Sequence, residues 1–396
     1  MAGSRSNIID LPDILSKYYK NNVKIIQERI KQLKKPSSFE LTATIKTQYS
    51  RDTEIVTYFM KTCERDRNIT FRTDLLSRFK NEVEFYESII PAITDFQISE
   101  GISPARLYYN IFPTRIGARI SDNPNRRVPD DTGVLLLENL KEKGYITPGA
   151  KEGLDLASCK IVLVRMAHMH VAPLVMRDIR PHEFEEKIVP TLMTIQPEKN
   201  TYCRKYINKL LNMVLKSKKF AKYARSITKA VDMSLCNYCI GNPHENSDWM
   251  TLCHSKVYNT NLMIAYNKKK PIACKILGLK NLQYSNCIND LIFFLFTSVD
   301  NDVLQESFNY LAHYYFQCIE NIFEDYRLLV TGYTIADFHK EMNTQGPLTL
   351  VKILEALAEI TCNEYDANGN PIIGRTFQKK LEFVLKIMIS KGWFTK

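Results

Sequence analysis

The chain has 396 residues, 45% of them apolar and 24% charged, which excludes a disordered, collagen-like or disulfide-scaffold protein. That length suits one two-lobed fold or two domains. With 54 Lys and Arg against 43 Asp and Glu the net charge is +11, and the excess is local: residues 199–229 hold ten basic residues and no acidic one.

In that basic segment Tyr206, Leu210, Leu211, Val214, Leu215, Phe220 and Tyr223 recur at helical spacing, so its charges are expected on the solvated side of one or two helices. Lys216, Lys218, Lys219 and Lys222 make a basic patch suited to nucleic acid, an acidic surface or an acidic partner. The first residues carry no sustained apolar stretch, and no apolar run reaches bilayer length, so a cytoplasmic protein without a transmembrane segment is expected. Ten cysteines without a secretory leader read as reduced thiols. Cys236 and Cys239, with His244, Cys253 and His254 nearby, match no usual zinc spacing, and no metal site is expected. The sequon at Asn68 is incidental in a cytosolic chain.

In chain order, hydrophobic periodicity predicts a helix over 14–33, a hairpin over 39–61, a helix over 79–90 and strands over 107–112 and 133–139. No glycine stands between Gly3 and Gly101. This is an α+β small lobe, residues 1–140, with an antiparallel sheet. Residues 141–396 read as a mostly helical large lobe, with helices over 154–176, 202–215, 221–239, 287–299, 303–325, 347–360 and 377–388. One strand pair, 251–264 and 271–279, interrupts them, joined by a turn at Asn267–Pro271.

Three strings carry a family likeness. Val134 to Tyr145 holds an apolar strand, then Glu138-Asn139-Leu140 and Gly144-Tyr145. Phe79-Lys80-Asn81-Glu82 opens a helix that follows Tyr58-Phe59-Met60-Lys61. Leu252-Cys253-His254-Ser255-Lys256 runs on to Asn261-Leu262-Met263, then Lys275 to Lys280 and Asn289-Asp290-Leu291. Together they resemble the insect ecdysteroid-kinase-like branch of the choline-kinase-like superfamily, over nearly the whole chain. The resemblance implies a bilobal protein-kinase-like fold, with Lys61, Glu82, Glu138 and Leu140 in nucleotide-facing positions. It also matches Met166–His170 to a family helix motif, in which His170 reads as structural.

Phosphoryl transfer needs a glycine-rich loop, a strand lysine paired with a helix glutamate, a catalytic Asp, an Asn and a metal-holding Asp. Lys61 and Glu82 supply the pair. The segment 42–54, taken as the phosphate loop, contains no glycine. In the catalytic loop His254 and Asn261 are retained, but the aspartate position is Lys256, which cannot act as base unless its pKa falls far. The metal-binding turn is Gly278-Leu279-Lys280, without its carboxylate. Lys256 and Lys280 are expected to face the former metal and phosphate region and to pair with Glu82, Asp290 or an anion.

The first functional reading is a pseudokinase that keeps the fold as a scaffold for a steroid-like lipophilic ligand or a protein partner, with Phe293, Phe294, Phe296 and the 310–316 helix as candidate pocket walls. It expects no cofactor. The second is an active kinase using ATP and magnesium, with Asp248, Glu245 or Asp290 recruited. The third is anion or nucleic-acid binding through 199–229.

Overall fold

The computed structural model describes residues 10–33, 37–63, 69–149, 153–194, 204–215, 217–240, 247–327, 333–362, 364–365 and 371–394. The elements begin with α1 (Leu11–Tyr19), β1 (Val23–Gln32), β2 (Ser38–Thr47), β3 (Glu54–Thr62), α2 (Ile69–Glu84), a π-turn (Phe85–Ile89), α3 (Ile90–Ser99), β4 (Arg115–Arg119), β5 (Val134–Glu138) and β6 (Tyr145–Ile146). Next come α4 (Leu156–Ile179), α5 (Pro181–Lys187), α6 (Val189–Thr194), α7 (Arg204–Leu215), α8 (Lys218–Ala221) and α9 (Ala224–Ile240). Four strands follow: β7 (Met250–Cys253), β8 (Leu262–Asn267), β9 (Lys270–Ile276) and β10 (Gln283–Asn286). The last helices are α10 (Cys287–Ser298), α11 (Asn301–Asp325), α12 (Ile335–Leu348), α13 (Leu350–Thr361) and α14 (Arg375–Ser390). Two compact units result, one of Met1–Ile146, Pro181–Gln196 and Lys275–Leu282, the other of Thr147–Arg180, Pro197–Cys274 and Gln283–Lys396.

The first unit is built on a five-stranded antiparallel sheet in the order β1-β2-β3-β5-β4. Strand alternation turns Leu41, Ala43 and Ile45 of β2, and Val56, Tyr58 and Met60 of β3, into one core with Leu11 and Leu15 of α1. The helix lies so close that a Cβ at Gly117 would stand 2.3 Å from Ile14 Cγ2, so only glycine fits there. The helix expected over 14–33 is therefore two elements: α1 stops at Tyr19, Lys20 takes a left-handed φ of 49°, and the remainder is strand β1. Ile26, Ile30 and Leu33 are helix-spaced, and pairing with β2 overrides that local signal.

The strand expected over 107–112 is instead a 3-10 turn, Tyr108–Ile111. Its neighbour Phe112 packs edge-on against Phe85, ring centroids 4.9 Å apart. The helix expected over 79–90 extends from α2 through the π-turn into α3. Pro91 explains the widening: it has no N–H to donate one turn back and its ring crowds that carbonyl. The Ile90 N–H accordingly reaches the Phe85 carbonyl five residues earlier.

In the second unit α4 packs on α11 and β7, and α10 is buried along its length. Contrary to expectation, α4 is long and apolar enough by composition to cross a bilayer, but 72% of its apolar window is buried inside the protein. The strand expected over 251–264 breaks in two. β7 pairs antiparallel with β10, Gln283 opposite Cys253, and β8 with β9 forms the hairpin. Helix α12 has no counterpart in the sequence reading; Thr334 and Asp337 cap it reciprocally. Gly346 and Pro347 in its last turn hide it from periodicity, and a Cβ at Gly346 would meet the Trp393 ring at 2.4 Å.

Candidate functional site

In the first unit β3 presents Lys61 on the face opposite Met60, and its Nζ donates to Glu82 Oε1 of α2 at 2.5 Å. Glu82 is buried and Lys61 partly exposed. The expected lysine–glutamate pair is thus made, and it occupies the Glu82 that Lys256 or Lys280 had been expected to engage. One residue earlier, Asn81 Nδ2 donates to the Lys280 carbonyl at 3.3 Å, tying α2 to the 278–280 turn. In that turn Leu279 is fully buried, Lys280 is exposed, and Gly278 has φ 76° and ψ 46°.

Glu138 ends β5 with a buried side chain that serves its own segment. Oε1 accepts from the Thr114 backbone N–H at 2.8 Å and Oε2 from Lys143 Nζ. Burial alone would raise its carboxyl, but Lys143, the Thr114 amide and the charge of Lys275 together hold it below the usual range. Leu140, also buried, starts the 3-10 turn that follows, capped by Asn139. The carboxylate of Glu138 is therefore a structural group.

The phosphate-loop assignment needs correction. A kinase places that loop ahead of the lysine-bearing strand, between its first two strands. Here β1 and β2 are joined through 33–37, and 34–36 lie outside the described residues. The segment 42–54 instead spans the β2–β3 turn. Neither connection contains glycine, the residue that lets backbone amides approach a phosphate most closely.

In the second unit the loop after β7 is hung on one carboxylate. Asp290 Oδ2 accepts from the His254 N–H at 2.6 Å and Oδ1 from the Ser255 N–H at 2.8 Å. Ser255 takes a left-handed φ of 67°, which aims two successive amides at the same anion. His170 Nε2 also reaches Asp290 Oδ2 at 3.2 Å, and Tyr315 OH meets His170 Nδ1 at 2.7 Å. Since the carboxylate only accepts, the imidazole donates its Nε2–H to Asp290. Burial would raise the Asp290 carboxyl, yet the hydrogen bond and charge of His170, with His254 and Lys352, hold it below the ordinary range. His170 is structural, as expected.

Both oxygens of Asp290 thus accept backbone amides of the loop inside the core. Asp248 lies before the opposite end of β7, so at least about 10 Å of strand separates it from His254. Glu245 lies outside the described residues. Within the loop the Lys256 N–H donates to His254 Nδ1 at 3.2 Å, and Asn261 Nδ2 donates to the Lys256 carbonyl at 3.0 Å. His254 and Asn261 thus brace the backbone that carries Lys256, whose side chain is partly exposed.

Magnesium does not fit the residues present. Position 256 offers an ammonium and position 278 no side chain, while Asp290 is committed to amides, leaving the neutral Asn261 oxygen among the expected ligands. The thiol of Cys253 lies within 4.8 Å of both His170 and Asp290. Burial pushes it far above its usual pKa, and it donates to the Ser285 carbonyl, which holds it here as a protonated thiol.

A small cleft beside the loop, lined by Lys256, Tyr258, Phe293, Lys352, Glu355 and Glu359, has about 10 Å³ of free volume, room for about one water. The expected aromatic walls belong mostly to the core. Phe294 and Phe296 are buried, Phe296 packing edge-on with Trp393 at 6.1 Å, and Phe316 meets Phe338 at 5.3 Å. Tyr310 instead lies on the surface, stacked on Tyr314. In the basic segment Lys218, Lys219 and Lys222 are exposed as expected, and Lys216 lies outside the described residues. Of the possible zinc ligands, Cys236, Cys239 and His244 also have side chains outside them.

Among solved structures the chain resembles the GDP complex of an aminoglycoside 2'-phosphotransferase IIIa variant, at 10% identity and a TM-score of 0.40 over 98% of this chain and 99% of that one. A GDP and kanamycin complex of APH(2'')-IIIa gives 9% identity and a TM-score of 0.37, over 96% and 98%. No curated protein sequence matches. The profile of the ecdysteroid kinase-like family matches residues 37–327, running from β2 to the end of α11, and with a sheet-bearing first unit and a helical second unit the chain belongs to that family.

Proposed function

We propose that this protein is a kinase-fold scaffold that does not carry out magnesium-dependent phosphoryl transfer. One observation carries the reading: the loop is held by Asp290 in full hydrogen-bonded order while its base position presents Lys256. A decayed loop would be expected to lose its anchor along with its chemistry. The Gly278 turn, without a carboxylate, supports the same conclusion. The Lys61–Glu82 pair favours a second reading, retention of a phosphate-bearing ligand without metal, because a lysine held on β3 still offers a positive charge to an anion. The family description names ecdysteroids, so hydroxylated lipophilic compounds are the first ligand class to screen.

The test is calorimetry of the purified protein with ATP, with and without magnesium, alongside transfer of labelled γ-phosphate to a panel of hydroxylated steroids. Metal-independent binding, or none, with no transfer is the expected result. Magnesium-dependent binding or any steroid-dependent transfer overturns the proposal. The Lys256→Asp/Gly278→Asp variant should gain magnesium dependence if only the ligands have been lost.

A further inference from the structure

We propose that the helical face formed by α7, α8, α9 and α14 docks the protein on an anionic lipid surface. Helix α7 buries Tyr206, Ile207, Leu210, Leu211 and Val214, which turns Lys205 and Lys209 to solvent one helical turn apart. Lys218 and Lys222 extend the exposed charge along the next short helix. A contact not evident in the sequence widens the face: Lys219 Nζ lies 3.6 Å from Glu382 of α14. Lys379 and Lys386, three residues before and four after Glu382, stand on the same side of α14, and both are exposed.

Two local acids are already used, Glu382 by Lys219 and Asp232 by Arg204. Lys205, Lys209, Lys218, Lys222, Lys379 and Lys386 have no acidic partner among the described residues. Uncompensated charge of this density is unfavourable in isolation and attracts a polyanion.

The chemistry favours lipid headgroups over nucleic acid. All six are lysines, compact point charges without the guanidinium fork that reads bases and grips phosphates in pairs, and of the exposed arginines on α7 and α9, Arg204 is already paired with Asp232. The rings that would stack on bases are turned inward: Tyr206 and Phe220 are buried and Tyr223 is partly so. A headgroup layer needs neither directionality nor stacking, and each lysine near it contributes about fivefold in affinity.

The test is co-sedimentation with phosphatidylcholine vesicles, with and without phosphatidylserine, at low and physiological salt. The variant Lys209→Gln/Lys222→Gln/Lys386→Gln is compared with Lys268→Gln/Lys269→Gln/Lys270→Gln, which removes the same charge from the exposed β8–β9 turn. All six positions are exposed, and thermal melting confirms that both variants fold. Binding should require phosphatidylserine, weaken with salt, fall at least about tenfold in the first variant and less than about threefold in the second. Equal binding to phosphatidylcholine alone, no binding at low salt, or equal losses in the two variants overturns the proposal. So does an oligonucleotide bound more tightly than the vesicles at the same salt.

Discussion

Two ends of one loop behave differently. At its root, His254 and Ser255 point consecutive amides at a buried carboxylate that also holds His170. A residue further on, Lys256 is partly exposed, on backbone braced by Asn261. The root is tied to the core, so any change there is paid in stability. The tip is partly exposed and braced only within its own loop by the bonds described. On the proposed function, architecture and reactivity rest on different atoms only a few residues apart, so one can change while the other stays.

The sharpest way to break the contrast is at the root. Asp290→Asn keeps the shape but leaves one oxygen to serve two amides and removes the charge facing His170. Urea unfolding should show a loss of about 3 kcal/mol or more; a loss as small as that of a surface substitution would mean that Asp290 does not anchor the loop. The next effect tests the first unit. Lys61→Met strands the buried Glu82 carboxylate and should cost about 2 kcal/mol, reduced because Lys61 is partly solvated. Lys61→Met/Glu82→Leu should recover most of it, since no buried charge is left alone.

Acid sharpens the same comparison. The Asp290 carboxyl is held below its ordinary value, so its stabilisation is complete above about pH 4, the unfolded value, and drains away as pH falls through the lower folded value. The urea midpoint should fall between pH 6 and pH 3 more steeply in the native protein than in Asp290→Asn; identical slopes would remove Asp290 from the acid response. Glu138, depressed in the same direction, contributes to both and cancels. The smallest effect is Ser255→Gly. The serine sits at φ 67°, a region that glycine enters freely, so the variant should gain up to about 1 kcal/mol in the same assay. A loss would show that the serine hydroxyl's bond to Gln283 outweighs the strain.

Much of this was legible in the residues themselves. The strings around Glu138, Glu82 and His254 identified the family, and the long helices were visible because their apolar periodicity runs for several turns. Strand β1 was not legible, since Ile26, Ile30 and Leu33 satisfy a helical period and only pairing with β2 decides the matter. Helix α12 was hidden by Gly346 and Pro347 in its last turn, where Trp393 packs against the glycine. The anchoring role of Asp290 had a signal that was read as chemistry: an acid at the start of an otherwise apolar helix must be bonded inside the core. No local pattern could reveal the approach of Lys219 to Glu382, because 163 residues separate them.

The widened turn at Phe85–Ile89 has a consequence for how this molecule tolerates length changes. A π-turn holds one residue more than the α-turn it replaces, so the helix carries a spare residue between Glu82, which meets Lys61, and Pro91, which forces the bulge. Because Pro91 would still force the bulge, deleting a single residue there would rebuild it one residue nearer Glu82 and turn everything downstream by about 100° relative to Glu82. Glu87, paired with Arg115, would be swept off its partner. The bulge thus works as a phase setting between two halves of one helix.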